Sequence, residues 1–224
     1  MLKADLHIHT NLDPKDGIKA KKVVTYSPYE LIDKASYFNF THLSFTHHEK
    51  LIYTQKLKDY AASKNIELIK GVEALIEGKE VLLYNIEKVP ETFQELKAMK
   101  AKNKNIFAIA PHPFYPLKKA LKDETEKHIN LIDAIEICGL HHPLINKYNN
   151  KAKKIAKKYN LPLIATSDLH DIENFGRNYI YSNSKNTDIF QVIKNKQYKN
   201  ISPRIKTKTA IKLITTAIKR KLKA

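Results

Sequence analysis

Short apolar runs alternate with amphipathic segments along most of the chain. Several runs are rich in β-branched residues and show little polar alternation, which is typical of strands buried on both faces. The runs predict eight strands, at residues 3–8, 42–46, 67–74, 81–85, 106–110, 133–137, 163–166 and 179–182. The segments between them predict helices at residues 27–39, 54–64, 91–102, 121–131 and 144–159.

The alternation of strands and helices predicts a parallel sheet, either open or closed into a barrel. No Gly/Ser-rich linker or internal repeat divides the chain, so we expect one domain over residues 1–224. Its final stretch, 208–223, predicts a basic amphipathic helix, because apolar residues form one stripe among the lysines: Ile211, Ile214, Ile218 and Leu222. With only 5 glycines, the chain lacks a Gly-rich phosphate-binding loop.

Composition narrows the class of protein. The 224 residues carry 40 Lys+Arg and 23 Asp+Glu, a net charge of +17, and the 36 residues after Asp188 hold eleven of the bases and no acid. A basic surface attracts polyanions, although the excess of Lys over Arg is also typical of AT-rich coding. The single cysteine, Cys138, excludes an internal disulfide framework, and no apolar run is long enough for a bilayer span. These features predict a cytoplasmic protein without membrane contact.

Histidines and acids cluster where the predicted strands end. His7 and His9 end the first strand, and residues two apart in a strand face the same side, so their imidazoles converge. Further members follow four other strands: His47, His48, Glu73, His112, Asp168 and His170. In parallel α/β folds, the carboxyl ends of the strands form the face where sites are built.

The residue types in this cluster indicate a metal centre. Imidazoles and carboxylates without thiolates suit Zn, Mn or Fe. The donors exceed the needs of one ion, and a carboxylate such as Glu73 can bridge two ions. Clustered divalent ions lower the pKa of a shared water and neutralise the charge of a phosphate. The cluster therefore predicts phosphoester hydrolysis with two or three divalent ions and a metal-bound hydroxide as the nucleophile.

Taken together, the motifs resemble the PHP (polymerase and histidinol phosphatase) family of metal-dependent phosphoesterases. Four motifs occur in the order of that family: Asp-Leu-His-Ile-His-Thr at 5–10, Phe-Thr-His-His at 45–48, Ala-Pro-His-Pro at 110–113 and Ser-Asp-Leu-His at 167–170. Gly-Val-Glu at 71–73 matches the glutamate of the family. The resemblance spans residues 5 to 170. It implies an α/β fold, a distorted seven-stranded (β/α)7 TIM-like barrel with up to three metals at the strand ends.

The same resemblance implies a ligand set for each ion. The first metal and its hydroxide would be held by His7, His9, Glu73 and Asp168. The second metal would be held by Glu73 and His112. The third would be held by His48, His170 and an acid from the loop after the first strand, for which Asp16 is favoured and Asp13 is the alternative.

Two positions depart from the pattern of the family. The family usually has an acid where this chain has His47, so one carboxylate beside the site is lost. Many members also have a ligand histidine about seven residues after the glutamate, where this chain has Glu80. That residue is either a hard ligand that favours Mn over Zn or a solvated strand-end residue. Arg177 is the candidate phosphate-binding residue, because a guanidinium can pair with two phosphate oxygens. His141 and His142 have no assigned role.

The leading hypothesis is therefore a hydrolase of phosphate esters, with two substrate classes left open. One is a small phosphomonoester and the other is a nucleotide or oligonucleotide. The net charge favours nucleic acid, but no aromatic-rich platform for single strands is evident in the sequence. The alternative is a non-catalytic nucleic-acid-binding protein on the same barrel, which the retained ligands argue against.

Overall fold

The strands form one mixed sheet that curls into a nearly closed barrel. The computed structural model describes residues 1–17, 24–137, 139, 143, 146–207 and 211. This part of the chain contains nine strands: β1 (Leu2–Ile8), β2 (His42–Phe45), β3 (Glu67–Ile76), β4 (Lys79–Tyr84), β5 (Phe107–Ala110), β6 (Ala134–Ile137), β7 (Leu163–Ala165), β8 (Tyr179–Ser182) and β9 (Lys199–Ile201). Their spatial order is β7-β6-β5-β4-β3-β2-β1-β8-β9.

Helices connect many of the strands. The described residues form six α-helices: α1 (Pro28–Tyr37), α2 (Gln55–Ser63), α3 (Phe93–Lys102), α4 (Glu124–Lys127), α5 (Lys147–Lys158) and α6 (Ile189–Lys194). The start of α1 shows how the sequence sets these bounds. The Ser27 hydroxyl accepts from the Glu30 N–H (3.2 Å), and the Glu30 carboxylate accepts from the Ser27 N–H (2.7 Å), which forms a capping box.

The sheet is mixed rather than wholly parallel. β1–β2, β2–β3, β5–β6 and β6–β7 are parallel pairs, whereas β3–β4, β4–β5, β1–β8 and β8–β9 are antiparallel. β3 and β4 are antiparallel because only Glu77 and Gly78 connect them. Both residues have φ in the left-handed region, 48° and 77°, as a two-residue hairpin turn requires. The expected α/β barrel is therefore confirmed, but the described strands do not follow a regular (β/α)7 repeat.

The segment after β7 lies against the end of β1. The Leu169 N–H donates to the His7 carbonyl (3.3 Å), and the His9 N–H donates to the Leu169 carbonyl (3.1 Å). These bonds extend the parallel pairing beyond β7 and bring the two ends of the sheet together. As a consequence, Asp168 and His170 lie beside His7 and His9, although about 160 residues separate them in sequence.

Asn200 on β9 connects that strand to β7. Its Oδ1 accepts from the Ala165 N–H and its Nδ2 donates to the Leu163 carbonyl, both at 2.7 Å. The Tyr198 hydroxyl also donates to the Leu163 carbonyl (2.9 Å). The edge of β7 opposite its pairing with β6 is thus bonded to the side chains of Tyr198 and Asn200.

An apolar core fills the barrel interior and forms the floor of the site. Tyr84 is fully buried, and its hydroxyl donates to the Leu6 carbonyl (2.7 Å). Phe107, Ile109 and Ile164 pack in the same cluster. Each such side chain contributes about 1.5–3 kcal/mol on burial, so the core holds the strand ends in fixed positions.

Most predicted elements lie where the pattern places them, and the differences have local causes. The predicted helix 121–131 is only the short α4 followed by a 3-10 turn at Ile129–Leu131. The pattern missed α6 and β9, which are six and three residues long. Apart from residue 211, the predicted helix at 208–223 lies outside the described residues. Among the helices that are described, none combines the length and apolar character needed to cross a membrane.

Replacing Asn200 with alanine tests the closure of the barrel. The N200A variant removes two hydrogen bonds to β7 and leaves the Ala165 N–H without its partner, so we expect the free energy of unfolding to fall by about 1–3 kcal/mol. Urea denaturation followed by circular dichroism measures this. The control is N130A, which changes an exposed asparagine on the 3-10 turn. An equal effect of both substitutions would contradict a closing role for Asn200.

Candidate metal centre

Two imidazoles and two carboxylates converge at the carboxyl end of β1. His7 Nε2 and His9 Nε2 lie 3.3 Å apart. Glu73 Oε2 is 3.5 Å from the first nitrogen and 3.4 Å from the second, and Asp168 Oδ1 is 3.4 Å from each. Both histidines and Glu73 are buried, whereas Asp168 is partly exposed. Four donor atoms therefore lie around one point, and they are the four that the sequence predicts for the first metal.

Glu73 lies where β3 meets the loop after β2. Its N–H donates to the His47 carbonyl (3.2 Å), and its carbonyl accepts from the Glu49 N–H (2.8 Å). Besides the two β1 histidines, its Oε2 faces His48 Nε2 at 3.2 Å, while its Oε1 faces His112 Nε2 at 3.6 Å. The two oxygens thus point to different groups of donors, as a carboxylate that bridges two ions must do.

Asp13 is the buried acid of the loop after β1. Its Oδ2 accepts from His9 Nδ1 (2.8 Å), from His48 Nδ1 (3.1 Å) and from the His48 N–H (2.9 Å). Its Oδ1 accepts from the N–H groups of Lys15 (2.7 Å) and Asp16 (3.0 Å). The carboxylate is saturated by these bonds, so its geometry is that of a group that orients two histidines.

Asp16 occupies a different place in the same loop. Its Oδ2 is 3.2 Å from His48 Nδ1 and 3.5 Å from His170 Nε2. His170 also approaches Asp168, whose carbonyl lies 2.9 Å from its Nδ1. Asp16 is less buried than Asp13 and faces both of the histidines predicted for a third ion.

His170 is nevertheless less completely enclosed than the other donors. Among the described residues, four groups each bring at least three donor atoms within 4.8 Å of one another. They are His9–Asp13–Asp16–His48, His7–His9–Asp168, His7–Glu73–His112 and His48–Glu73–Glu80. His170 belongs to none of these four groups. The structure therefore brings together the first two sets of predicted donors more closely than the third.

Glu136 is a buried acid that the sequence analysis missed. It lies on β6 with no exposed surface, and its Oε2 is 2.8 Å from His7 Nδ1. Its Oε1 accepts from the His112 N–H (3.3 Å). A carboxylate on Nδ1 keeps the proton there and leaves the Nε2 lone pair of His7 directed at Glu73 and Asp168. The signal that could have found it is a lone charged residue within the apolar strand 134–137.

Glu80, which the sequence leaves as either a metal ligand or a solvated strand-end residue, faces the centre from β4. It is 7% exposed and forms one donor group with His48 and Glu73. Its Oε1 is also 3.4 Å from Lys119 Nζ. The burial excludes a freely solvated side chain and supports a place in the cluster.

Two of the predicted ligands have unusual backbone conformations. Asp168 has φ of 48° and His112 has φ of 30°, in the left-handed region that side chains other than glycine rarely adopt. Such conformations cost roughly 1–3 kcal/mol each and persist only where the surroundings enforce them. The Leu169 N–H donates to the His7 carbonyl beside Asp168, and the His112 N–H donates to Glu136 Oε1, and these bonds supply that enforcement.

The packing of acids against imidazoles shifts the pKa of most of the cluster. Burial opposes protonation of His112, but its bond to Glu73 and the charge of Asp168 outweigh burial and raise its pKa to about 9. For His170, the bond to Asp16 outweighs burial in the same way and raises the pKa to about 9. Burial favours the neutral form of Glu73, but the charges of the histidines hold its pKa well below its ordinary value.

Other predicted residues lie outside this group of donors. His47 is buried, and its Nε2 lies 2.7 Å from the Thr10 hydroxyl; burial, followed by the charge of His9, lowers its pKa to about 3. Arg177 is exposed, and its Nη1 donates to Asn174 Oδ1 (3.3 Å), so no contact joins it to the donors in the described residues. Cys138, His141 and His142 lie outside the described residues.

The donor set fits divalent ions. Among the described residues, imidazole nitrogens and carboxylate oxygens meet in a buried space without thiolates, which suits Zn, Mn or Fe. His112 Nδ1 is buried without a hydrogen-bond partner in the described residues, and Asp13 and Glu136 hold the outward nitrogens of His9 and His7. His7 and His9 therefore show the usual arrangement of metal-binding histidines, in which the second ring nitrogen donates to a carboxylate.

Known proteins share parts of this sequence and fold. Residues 146–198 match the family described as PHP-associated. An uncharacterized protein of Methanocaldococcus jannaschii is 27% identical over 146 residues, which cover 63% of this chain and 84% of that protein. The solved structure of PsfC from Pseudomonas syringae covers 100% of both chains, with a TM-score of 0.61 and 15% identity.

Two further solved structures carry functional names. A putative metal-dependent phosphoesterase from Bifidobacterium adolescentis is 13% identical with a TM-score of 0.53, covering 75% of this chain and 87% of that one. The lesion-specific endonuclease PfuEndoQ from Pyrococcus furiosus is 15% identical with a TM-score of 0.57, covering 89% of this chain and 57% of that one. At these identities the similarity to solved structures is one of fold.

Removal of the Glu136 carboxylate is expected to weaken metal binding. In E136A, His7 loses the acceptor that fixes its proton on Nδ1, so metal affinity should fall roughly 10–100-fold. E136Q retains an acceptor oxygen and should lose less. Competition with a chromogenic chelator measures the affinity, and E87Q, a change at an exposed glutamate, is the control. Unchanged affinity in E136A would show that Glu136 does not orient His7.

Metal stabilisation should increase with pH. Because the pKa values of His112 and His170 are raised to about 9, their contribution to the stability of the metal-free protein is full below about pH 6.5 and is lost as the pH rises through 9. Metal ions compete with those protons and therefore bind more tightly as the pH rises. The difference in melting temperature between the metal-loaded and the metal-free protein should increase from pH 6.5 to pH 9. A difference that shrinks over this range would contradict the assignment of these histidines.

Proposed function

We propose that the chain is a member of the PHP family and acts as a metal-dependent phosphoesterase. The observation that carries the proposal is the convergence of four donor atoms. His7 Nε2 and His9 Nε2 lie 3.3 Å apart, and Glu73 Oε2 and Asp168 Oδ1 each lie within 3.5 Å of both nitrogens. Divalent ions bound there would lower the pKa of water and neutralise the charge on a phosphate during attack.

The side chains of the chain prepare this chemistry by position and charge. His7, His9, Glu73 and Asp168 are the proposed ligands of the first ion. Glu136 holds a proton on His7 Nδ1, and Asp13 holds one on His9 Nδ1, so that the Nε2 atoms face the centre. No serine, cysteine or threonine is needed as a nucleophile, because the proposed reaction uses water.

Two further donor groups support a centre with more than one ion. Glu73 and His112 are the proposed ligands of a second ion, and Glu80, which groups with His48 and Glu73, is a proposed further ligand. Asp16, His48 and His170 are the proposed ligands of a third. Asp13 is saturated by hydrogen bonds, and for this reason we assign it to orientation and the ligand role to Asp16.

The general substrate we propose is a phosphate ester. The structurally similar proteins include one called a phosphoesterase and one called an endonuclease, so both a small phosphomonoester and a nucleic-acid phosphodiester suit the barrel. The retained donors argue against the alternative, a purely nucleic-acid-binding barrel, because buried carboxylates without a catalytic or cation-binding role are costly. Arg177 is a proposed phosphate contact, and its side chain is exposed to solvent.

Activity and metal content together test the proposal. We expect the purified protein to contain Mn, Zn or Fe and to release p-nitrophenol from p-nitrophenyl phosphate or its bis ester. D168N removes a charged ligand and should lower both the metal content and kcat/KM, the latter at least about a hundredfold. D59N, a change at an exposed acid on α2, is the matched control. A metal-free protein without esterase activity, or full turnover by D168N, would refute the proposal.

A further inference from the structure

A groove of about 460 Å³ lies beside the ligand loop of His112. One wall is the segment after β5, in which the Tyr115 N–H donates to the His112 carbonyl (3.1 Å) and the Lys122 N–H donates to the Pro113 carbonyl (2.7 Å). The other wall is the first two turns of α5. Both walls follow strands that end at the metal centre, β5 and β6, so the groove opens on the same face of the barrel.

Aromatic rings from two distant segments form the floor of this groove. The rings of Tyr115 and Tyr148 lie 5.0 Å apart, centroid to centroid, and Phe114 lies beside them. Tyr115 and Phe114 are buried, whereas Tyr148 is only half-buried and keeps part of its ring accessible. This pairing supplies a stacking surface that no single stretch of sequence contains.

Positive charge lines the rim of the same groove. Lys122, Lys147 and Lys151 are exposed there, together with one acid, Asp123, whose Oδ1 lies 3.3 Å from Lys151 Nζ, so that three bases face one acid. Lys147 Nζ is 5.1 Å from the Tyr148 ring centre and Lys151 Nζ is 4.6 Å from that of Phe114. The first turn of α5 contains no acidic residue, so the positive end of its dipole adds to the field.

From this combination we propose that the groove binds a single-stranded oligonucleotide that extends from the scissile phosphate. The inference rests on the proposed function and specifies its substrate class. A base stacks on Tyr148, and Lys147 and Lys151 contact the phosphates on either side. Stacking combined with basic side chains is the general means by which proteins hold single strands without reading their sequence. An oligonucleotide can contact the centre and the groove at once, so binding in the groove would favour it over a small phosphomonoester.

Oligonucleotide binding tests the groove independently of turnover. The probe is a fluorescein-labelled oligothymidylate 12-mer with phosphorothioate linkages, which retains charge and resists hydrolysis, and the readout is fluorescence anisotropy of the full chain as purified. K147Q/K151Q removes two phosphate contacts, so the affinity in about 50 mM salt should fall roughly ten- to a hundredfold. The slope of log affinity against log salt should become shallower by about 1.4.

Matched variants identify the groove as the cause. K153Q/K154Q removes the same charge from exposed positions on α5 that do not line the groove, and it should change affinity less than about threefold. Y148A should weaken binding at least about fivefold through lost stacking, while Y148F retains the ring and should bind as the unaltered chain does. Equal losses in both lysine pairs, or no loss in Y148A, would overturn the proposal and assign binding to the overall charge.

Cleavage separates failure of this inference from failure of the proposed function. With Mn²⁺, the unaltered chain should cleave a phosphodiester-linked 12-mer, and K147Q/K151Q should lose at least about tenfold in kcat/KM on the 12-mer but retain its activity on bis-p-nitrophenyl phosphate. Hydrolysis of the small esters without binding or cleavage of the 12-mer would overturn the groove alone. Binding of the 12-mer with no ester hydrolysis at all would instead overturn the phosphoesterase.

Discussion

The burial of carboxylates against a ring of imidazoles is the constraint on which the rest of the structure depends. Asp13, Glu73 and Glu136 are removed from water, and an ionised carboxylate in such a place costs several kcal/mol unless charge or hydrogen bonds offset it. The chain offsets the cost by pairing each acid with histidine nitrogens or backbone N–H groups. The rings held in this way turn their other nitrogens toward one another. The lone pairs that face inward bind either protons or cations. The raised pKa of His112 shows that, without a cation, its ring holds a proton more strongly than a free imidazole does.

The irregular parts of the barrel supply the geometry that this constraint requires. The β3–β4 hairpin leaves both Glu73 and Glu80 facing the centre from adjacent antiparallel strands, since a two-residue turn keeps the strands in register. The segment after β7 pairs with β1 through backbone bonds, which carries Asp168 to the two β1 histidines.

The sequence was sufficient where chemistry and periodicity agree. His7 and His9 are two apart in a strand, so their convergence follows from strand geometry, and the positions of the first eight strands follow from apolar runs. It was insufficient where a role depends on a partner far along the chain. Glu136 is one acid in an apolar strand until His7 is found 2.8 Å away, and Tyr115 and Tyr148 are unrelated until β5 and α5 bring their rings together. The orienting role of Asp13 likewise depends on bonds to His9 and to the backbone of Lys15 and Asp16 that form only in the folded chain.

The distribution of charge also changes how the basic composition is interpreted. The net charge of +17 belongs mainly to exposed lysines and to the acid-free last 36 residues, whereas the centre itself is rich in carboxylates. A phosphate would be repelled by that centre without bound cations, because like charges are poorly screened in a buried site. In the proposed reaction the ions and the lysines would act at different ranges: bound ions would neutralise the reacting phosphate, and Lys122, Lys147 and Lys151 would contact its neighbours. The proposal therefore assigns affinity for a polyanion and capacity for chemistry to separate residues, so that a substitution in one set would leave the other intact.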